Sequence, residues 1–196
     1  MDLISRIALH FEDNVSTTMG AVERLALPVA EAADSMVRSL LSNGKILACG
    51  NAGSAASAQH FVAQLVGHFE RERPELAAIA LTTDCATLSS IASSEAWEQV
   101  FAKQVRALGQ PGDVLLALST SGRSPSILAA VEAAHERDLR VVALTGRDGG
   151  QLATLLREGD TLICVEHERV ARIQELHLLA IHCICDGIDC LLMGEE

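Results

Sequence analysis

Apolar residues recur at a helical interval along residues 2–43, with Ile4, Ile7, Ala8 and Phe11 in the first part and Val29, Met36, Val37 and Leu40 in the second. Positions three or four apart share one face of a helix. Pro28 lacks the N–H that a helix interior uses, so two helices are expected here, the second beginning at Pro28. Ser42, Asn43 and Gly44 then end the helical pattern. Beyond them the text alternates. Short apolar runs at 45–49 (KILAC), 76–81 (LAAIAL), 113–118 (DVLLAL), 140–144 (RVVAL) and 161–165 (TLICV) read as strands. Helical stretches follow through 65, to 108, to 137 and over 170–192. Strands separated by helices predict βαβ units, and runs this continuously apolar predict a parallel sheet covered on both faces. The expected fold class is α/β, a doubly wound sheet of five parallel strands flanked by helices. One domain is expected over 1–196, with a helical segment at 1–43 and the α/β core at 44–196. Ligands of such a sheet lie at the carboxyl ends of its strands.

Composition narrows the function. With 26 acidic against 15 basic residues the net charge is -11, which argues against direct binding of nucleic acid. It leaves room for a local anion site built from backbone N–H groups. The first nine residues lack the basic, apolar, small-residue order of a signal peptide, and no run approaches the length of a membrane span. A cytoplasmic protein without a membrane segment is expected. The six cysteines stand mostly in apolar contexts and are expected as buried thiols. Cys183, Cys185 and Cys190 lie near His177 and His182, but their spacing is not that of a structural zinc site, so they are assigned to helix packing.

Three strands end in loops rich in glycine and hydroxyls, at 50–54 (GNAGS), 119–124 (STSGRS) and 145–150 (TGRDGG). The middle loop places four hydroxyls in six residues, with Gly122 for a tight turn and Pro125 at the start of a helix. It reads either as a phosphate cradle at a helix N-terminus or as an ordinary turn with Ser124 as N-cap. The loop at 145–150 reads equally as a structural turn. Neither GxGxxG nor GxxxxGK[ST] occurs, so no dinucleotide site or P-loop is supported.

The segments GNAGSAASAQHF (50–61), AIALTTD (78–84), KQVRALGQPGDVLLALSTSGRS (103–124), VVALTGRDGG (141–150) and ARIQELH (171–177) resemble the phosphoheptose isomerases of the sugar isomerase (SIS) family, in the same order over nearly all of the chain after residue 44. The resemblance implies a SIS fold and a homotetramer whose active sites form between subunits. It implies a phosphorylated sugar held by Ser119, Thr120, Ser121 and Ser124, with Asn51 and Ser54 nearby. Zinc-containing relatives hold the metal with a His, a Glu one turn later, a Gln and a second His. That Glu serves as base and the last His as acid. The matching positions here are His60, Gln64, Gln174 and His182, of which Gln174 would also contact the substrate.

Gln64 thus stands where the base should be, and a neutral amide neither accepts a proton nor supplies an anionic metal ligand. Two further departures accompany it. Ser94 occupies the place of a substrate-contacting Asp, and His68 that of an Arg, which removes a permanent cation while offering a substitute base. All three changes fall on the catalytic apparatus and none on the phosphate loop, a pattern of binding without turnover. The family contains such a branch, the DnaA initiator-associating protein (DiaA), which assists replication initiation through protein contacts. Leu192 and Met193 fall where that branch binds its partner, and they read equally as the end of an amphipathic helix in the tetramer core. The leading expectation is a DiaA-like tetramer that binds a phosphorylated sugar and contacts the DnaA initiator protein, with no resident cofactor. The alternatives are a working isomerase, with His182 as acid and zinc bound, that converts sedoheptulose 7-phosphate to D-glycero-D-manno-heptose 7-phosphate, and a sugar-phosphate sensor.

Overall fold

The computed structural model describes residues 2–194, so residues 1, 195 and 196 of the expected 1–196 domain lie outside the described residues. The chain runs α1 (Leu3–Leu41), β1 (Ile46–Gly50), α2 (Gly53–Val66), β2 (Ala78–Ala80), α3 (Cys85–Ser94), a 3-10 turn (Trp97–Gln99), α4 (Ala102–Leu108), β3 (Val114–Ser119), α5 (Pro125–Glu136), β4 (Arg140–Gly146), α6 (Gly150–Leu155), β5 (Thr161–Val165) and α7 (Val170–Met193). The strands form one parallel sheet in the order β2-β1-β3-β4-β5, the doubly wound arrangement expected. Strand order reverses between β1 and β3, and a crevice for a ligand opens at the carboxyl ends of such neighbours.

Side chains alternate across the sheet and build one apolar layer on each face. Ile46, Ala48, Leu116, Leu118 and Leu144 pack with Met36 of α1, Phe61 and Leu65 of α2, and Ile181 and Ile184 of α7. On the other face Leu47, Leu115, Ala117 and Val141 pack with Phe101, Ile127, Val131 and Leu152. At the amino edge of the sheet, buried Asp113 accepts from the backbone N–H groups of Lys45 (2.9 Å) and Gln110 (2.9 Å) and pairs with Lys45 Nζ at 2.6 Å. That clamp fixes β1 against β3 before either strand reaches the site.

Three expectations need correction. The N-terminal region is one helix of 39 residues with Pro28 inside it, not two helices. Proline removes one backbone donor, and the carbonyl it deprives belongs to exposed Arg24, where water can replace the lost bond. The cysteines are all free thiols, but only Cys49 and Cys185 are buried, while Cys85 and Cys183 are exposed. Burial pushes the thiols of Cys49 and Cys185 up to about 12. Finally, α7 is long and apolar enough by length and composition to cross a membrane, although no such run was expected. Here it packs against α1 and α2, with Ile173, Leu176, Ile181, Ile184 and Ile188 buried.

Two polar contacts anchor α7. The Arg73 guanidinium, 1% exposed, donates to Asp189 Oδ1 at 2.5 Å and to the last carbonyls of α2, Gln64 at 2.7 Å and Leu65 at 2.9 Å. It therefore caps α2 and ties it to α7 in one step. His177 Nε2 meets the Thr145 carbonyl of β4 at 2.8 Å. Burial pushes the His177 imidazole down from 6.5 to about 4, against the opposing pull of that carbonyl. The unfolded chain takes up this proton near pH 6.5 and the folded one only near 4, so stability is full above 6.5 and is lost as pH falls between the two values. Urea denaturation from pH 7 to pH 4.5 should show a loss on the order of 3 kcal/mol from this group. His177→Gln should remove that part of the slope. An unchanged slope in the variant would place the acid sensitivity elsewhere.

Candidate functional site

Three loops meet at the carboxyl edge of β1, β3 and β4. β1 ends at Gly50 and is followed by Asn51, whose amide Nδ2 donates to Ser124 Oγ at 2.9 Å and to Ser126 Oγ at 2.8 Å. Both amide hydrogens are thereby used to bridge from the end of β1 to the start of α5. Ser124 is the N-cap residue of α5, as the ordinary-turn reading expected, but its side chain makes no capping bond. The hydroxyl serves Asn51 instead, which leaves the N–H groups of the first turn without a side-chain cap. Ser119 is buried, while Thr120, Ser121 and Ser124 are half-buried at the loop surface. Ser54, also buried, closes the turn into α2 through its N–H to Asn51 O at 2.9 Å.

The loops at 119–124 and 145–150 are in backbone contact. A Cβ on Gly122, whose φ is +62°, would lie 1.9 Å from the Gly149 carbonyl oxygen. One on Gly150, with φ +60°, would lie 2.5 Å from the Ser121 carbonyl oxygen. The Leu152 N–H completes the junction at 2.9 Å from Gly122 O. The 145–150 loop is therefore packed on the 119–124 loop, a contact that a structural turn also makes.

The residues expected at a catalytic centre are only partly brought together. His60 Nε2 and His182 Nε2 lie 2.9 Å apart, one hydrogen-bonding the other, with Gln64 Nε2 3.4 Å from His60 Nε2. The Phe69 ring lies beside His182, with centroids 5.6 Å apart. Burial first, and the His182 charge second, lower the His60 pKa below its ordinary value. Gln174 turns to the other end of α2, where its amide rests on Gly53 so closely that a Cβ there would lie 2.2 Å from Nε2. Ser94 is exposed and bonds the Ser90 carbonyl of its own helix at 2.9 Å, and His68 is exposed beyond the end of α2. Leu192 is half-buried against the core, so of the two apolar residues expected at the exposed end of α7 only Met193 is exposed, with Leu191 beside it.

Sequence reasoning missed Ser126, Arg73 and Ala52. Ser126 is 2% exposed and shares Asn51 with Ser124. A serine directly after the N1 proline of the hydroxyl loop was the available signal. Ala52, between β1 and α2, has φ 48° and ψ -119°, close to the first central position of a type II′ turn, where glycine is the natural residue. Its methyl is exposed at the rim of the site.

A five-stranded parallel sheet whose strand ends gather around a hydroxyl-lined helix start defines a protein of the doubly wound α/β class. The SIS domain family model matches residues 10–146. A phosphoheptose isomerase of Aromatoleum aromaticum is 63% identical over 196 residues, covering 100% of this chain and 99% of that protein. Among solved structures, a phosphoheptose isomerase from Neisseria gonorrhoeae matches with TM-score 0.92 and 51% identity over 96% of this chain and 99% of that one. Another from Francisella tularensis matches with TM-score 0.94 and 44% identity over the same shares. The chain belongs to the SIS-domain phosphoheptose isomerase family.

Relieving Ala52 is expected to stabilise the fold. Ala52→Gly removes backbone strain of about 1–3 kcal/mol and adds unfolded-state entropy of roughly 0.5–1 kcal/mol. A net gain of about 1 kcal/mol should appear as a raised midpoint in urea. A lowered midpoint would show that the alanine conformation is not strained.

Proposed function

We propose that this protein binds a phosphorylated sugar at the loop 119–124, with Asn51 and Ser54 supporting it, and isomerises that sugar slowly or not at all. The observation that carries the reading is the cluster of His60, His182 and Gln64, in which a carboxamide lies beside two mutually bonded imidazoles. Aldose–ketose interconversion takes a proton from carbon, and an amide cannot accept it. The same cluster bears on zinc. Two imidazoles and two carboxamides supply no anionic oxygen, and Gln174 is turned toward Gly53. Among the described residues no group of three His, Cys, Asp or Glu is placed to hold a metal ion. These donors do not fit the zinc of the isomerases, and no step is routed through it.

Without turnover, the output of binding is a protein contact, and a DiaA-like regulator that engages the DnaA initiator protein in the cytoplasm is the form of it we favour. Support comes from the apolar surface left on the long helices. Leu3, Ile4, Phe11 and Met19 of α1 are each at least 70% exposed. A groove of about 370 Å³ between α1 and α7 is lined by Val22, Leu25, Val29, Leu176 and Leu179. Apolar surface of this extent is covered in an assembled protein, which supports a homotetramer built on α1 and α7. Leu191 and Met193 would then stand at the edge of that surface as the partner contact.

The second reading is a working phosphoheptose isomerase, favoured by the names of relatives 53–63% identical over nearly the whole chain. One pair of assays separates the two. Sedoheptulose 7-phosphate is incubated with the wild-type chain and with Gln64→Glu, each with added zinc. The proposal expects binding by both and turnover raised at least about a hundredfold in the variant, the scale of one general base. Equal, rapid turnover by both would establish the isomerase reading. Capture of the DnaA initiator by the full chain, weakened by Met193→Ser, is expected alongside. Capture that is absent in the wild type removes the adaptor half of the proposal.

A further inference from the structure

The loop 119–124 contains one cation, Arg123, and its guanidinium is engaged. Arg123 Nη2 donates to Asp148 Oδ2 at 2.5 Å, across the junction between the two loops. The other carboxylate oxygen, Oδ1, accepts from the Gly150 N–H at 3.1 Å. At its own backbone Arg123 is held by Ser121 Oγ, 3.2 Å from its N–H. The two side chains are 51% and 65% exposed, so the pair stands in water at the rim of the cradle. Exposed pairs of this kind are weak and exchange partners readily.

The backbones beneath the pair are joined, since Gly122 lies directly against Gly149 and Gly150 and its carbonyl accepts from the Leu152 N–H at 2.9 Å. The exposed side chains of the pair are the parts most free to rearrange on ligand binding. A phosphate monoester carries up to two charges and offers oxygens that match the planar fork of a guanidinium. In a chain of net charge -11 a local cation adds to what the backbone N–H groups offer such an ion. The Asp148 carboxyl is held below its ordinary range by Arg123 first and by the Gly150 N–H second, so it competes as a full anion.

We propose that Arg123 is the residue by which this site selects a phosphate ester, and that Asp148 is its stand-in partner in the empty site, displaced from the guanidinium when the phosphate binds. The inference rests on the sugar-phosphate binding proposed above and adds how that binding is tuned. Asp148 acts against affinity and guards against weaker anions, since a ligand must outcompete a carboxylate already in place. The opposite role, Asp148 positioning Arg123 for the ligand, makes the opposite prediction.

The test is calorimetric titration of the full chain with sedoheptulose 7-phosphate, and with unphosphorylated sedoheptulose as control. Arg123→Gln is expected to weaken binding of the phosphate ester about tenfold, the scale of one charged hydrogen bond. Asp148→Asn is expected to tighten it about threefold to tenfold, and neither change should alter binding of the control sugar. Thermal midpoints verify that both variants remain folded. Weaker binding by Asp148→Asn, or wild-type binding by Arg123→Gln, would overturn the inference while leaving sugar-phosphate binding intact. Failure of the wild-type chain to bind the ester would remove both.

Discussion

Asn51 holds the site together by donating both of its amide hydrogens to serines that stand more than seventy residues further along the chain. Those two bonds join the end of β1 to the start of α5 at the place where the strand order reverses. They also occupy the Ser124 hydroxyl, which would otherwise cap the helix, and so the N–H groups of the first turn keep their capacity for an anion. The glycines at 122, 149 and 150 permit the next loop to close against this bridge. The candidate site depends on few polar contacts, and the sheet beneath it is packed on both faces, which supports them.

The cluster of His60, Gln64 and His182 lacks that consistency. α2 and α7 are firmly joined, by Arg73 and Asp189 at one end and by packing along their length, and they bring His60 against His182. The two helices that carry the expected proton-transfer residues are therefore in place. Of the departures at Gln64, Ser94 and His68, the one that bears most on the proposed loss of turnover is the chemistry of one atom at residue 64. An amide nitrogen stands where an oxyanion would both take a proton and compensate a metal charge. Fold and helix geometry follow the isomerases at more than half identity, and on the proposed reading it is this one position that alters the reaction.

Much of the fold was legible because four of the five strands carry apolar runs with few polar interruptions, a signal set by burial on both sheet faces. The apolar run at 161–165 coincides with β5, whereas the run at 76–81 is longer than β2, an edge strand of three residues. Pro28 misled because its cost depends on whether the orphaned carbonyl meets water, a tertiary fact. α6 leaves no mark in the apolar pattern, since six residues beginning at Gly150 carry too little periodicity. At the site, spacing placed His60 and Gln64 on one face, and the resemblance supplied His182 from 122 residues away. Local sequence held no sign that Gln174 would lie on Gly53, that Ser126 would share Asn51, or that Arg73 would cap α2, because each partner is distant in the chain.

Proton abstraction itself can be watched directly. Sedoheptulose 7-phosphate at saturating concentration with the wild-type chain in D2O should bind, and its C1 hydrogens should persist in the proton NMR spectrum over hours. Rapid replacement of a C1 hydrogen by deuterium would mean that a base acts on carbon in this site, and that Gln64 has not silenced it.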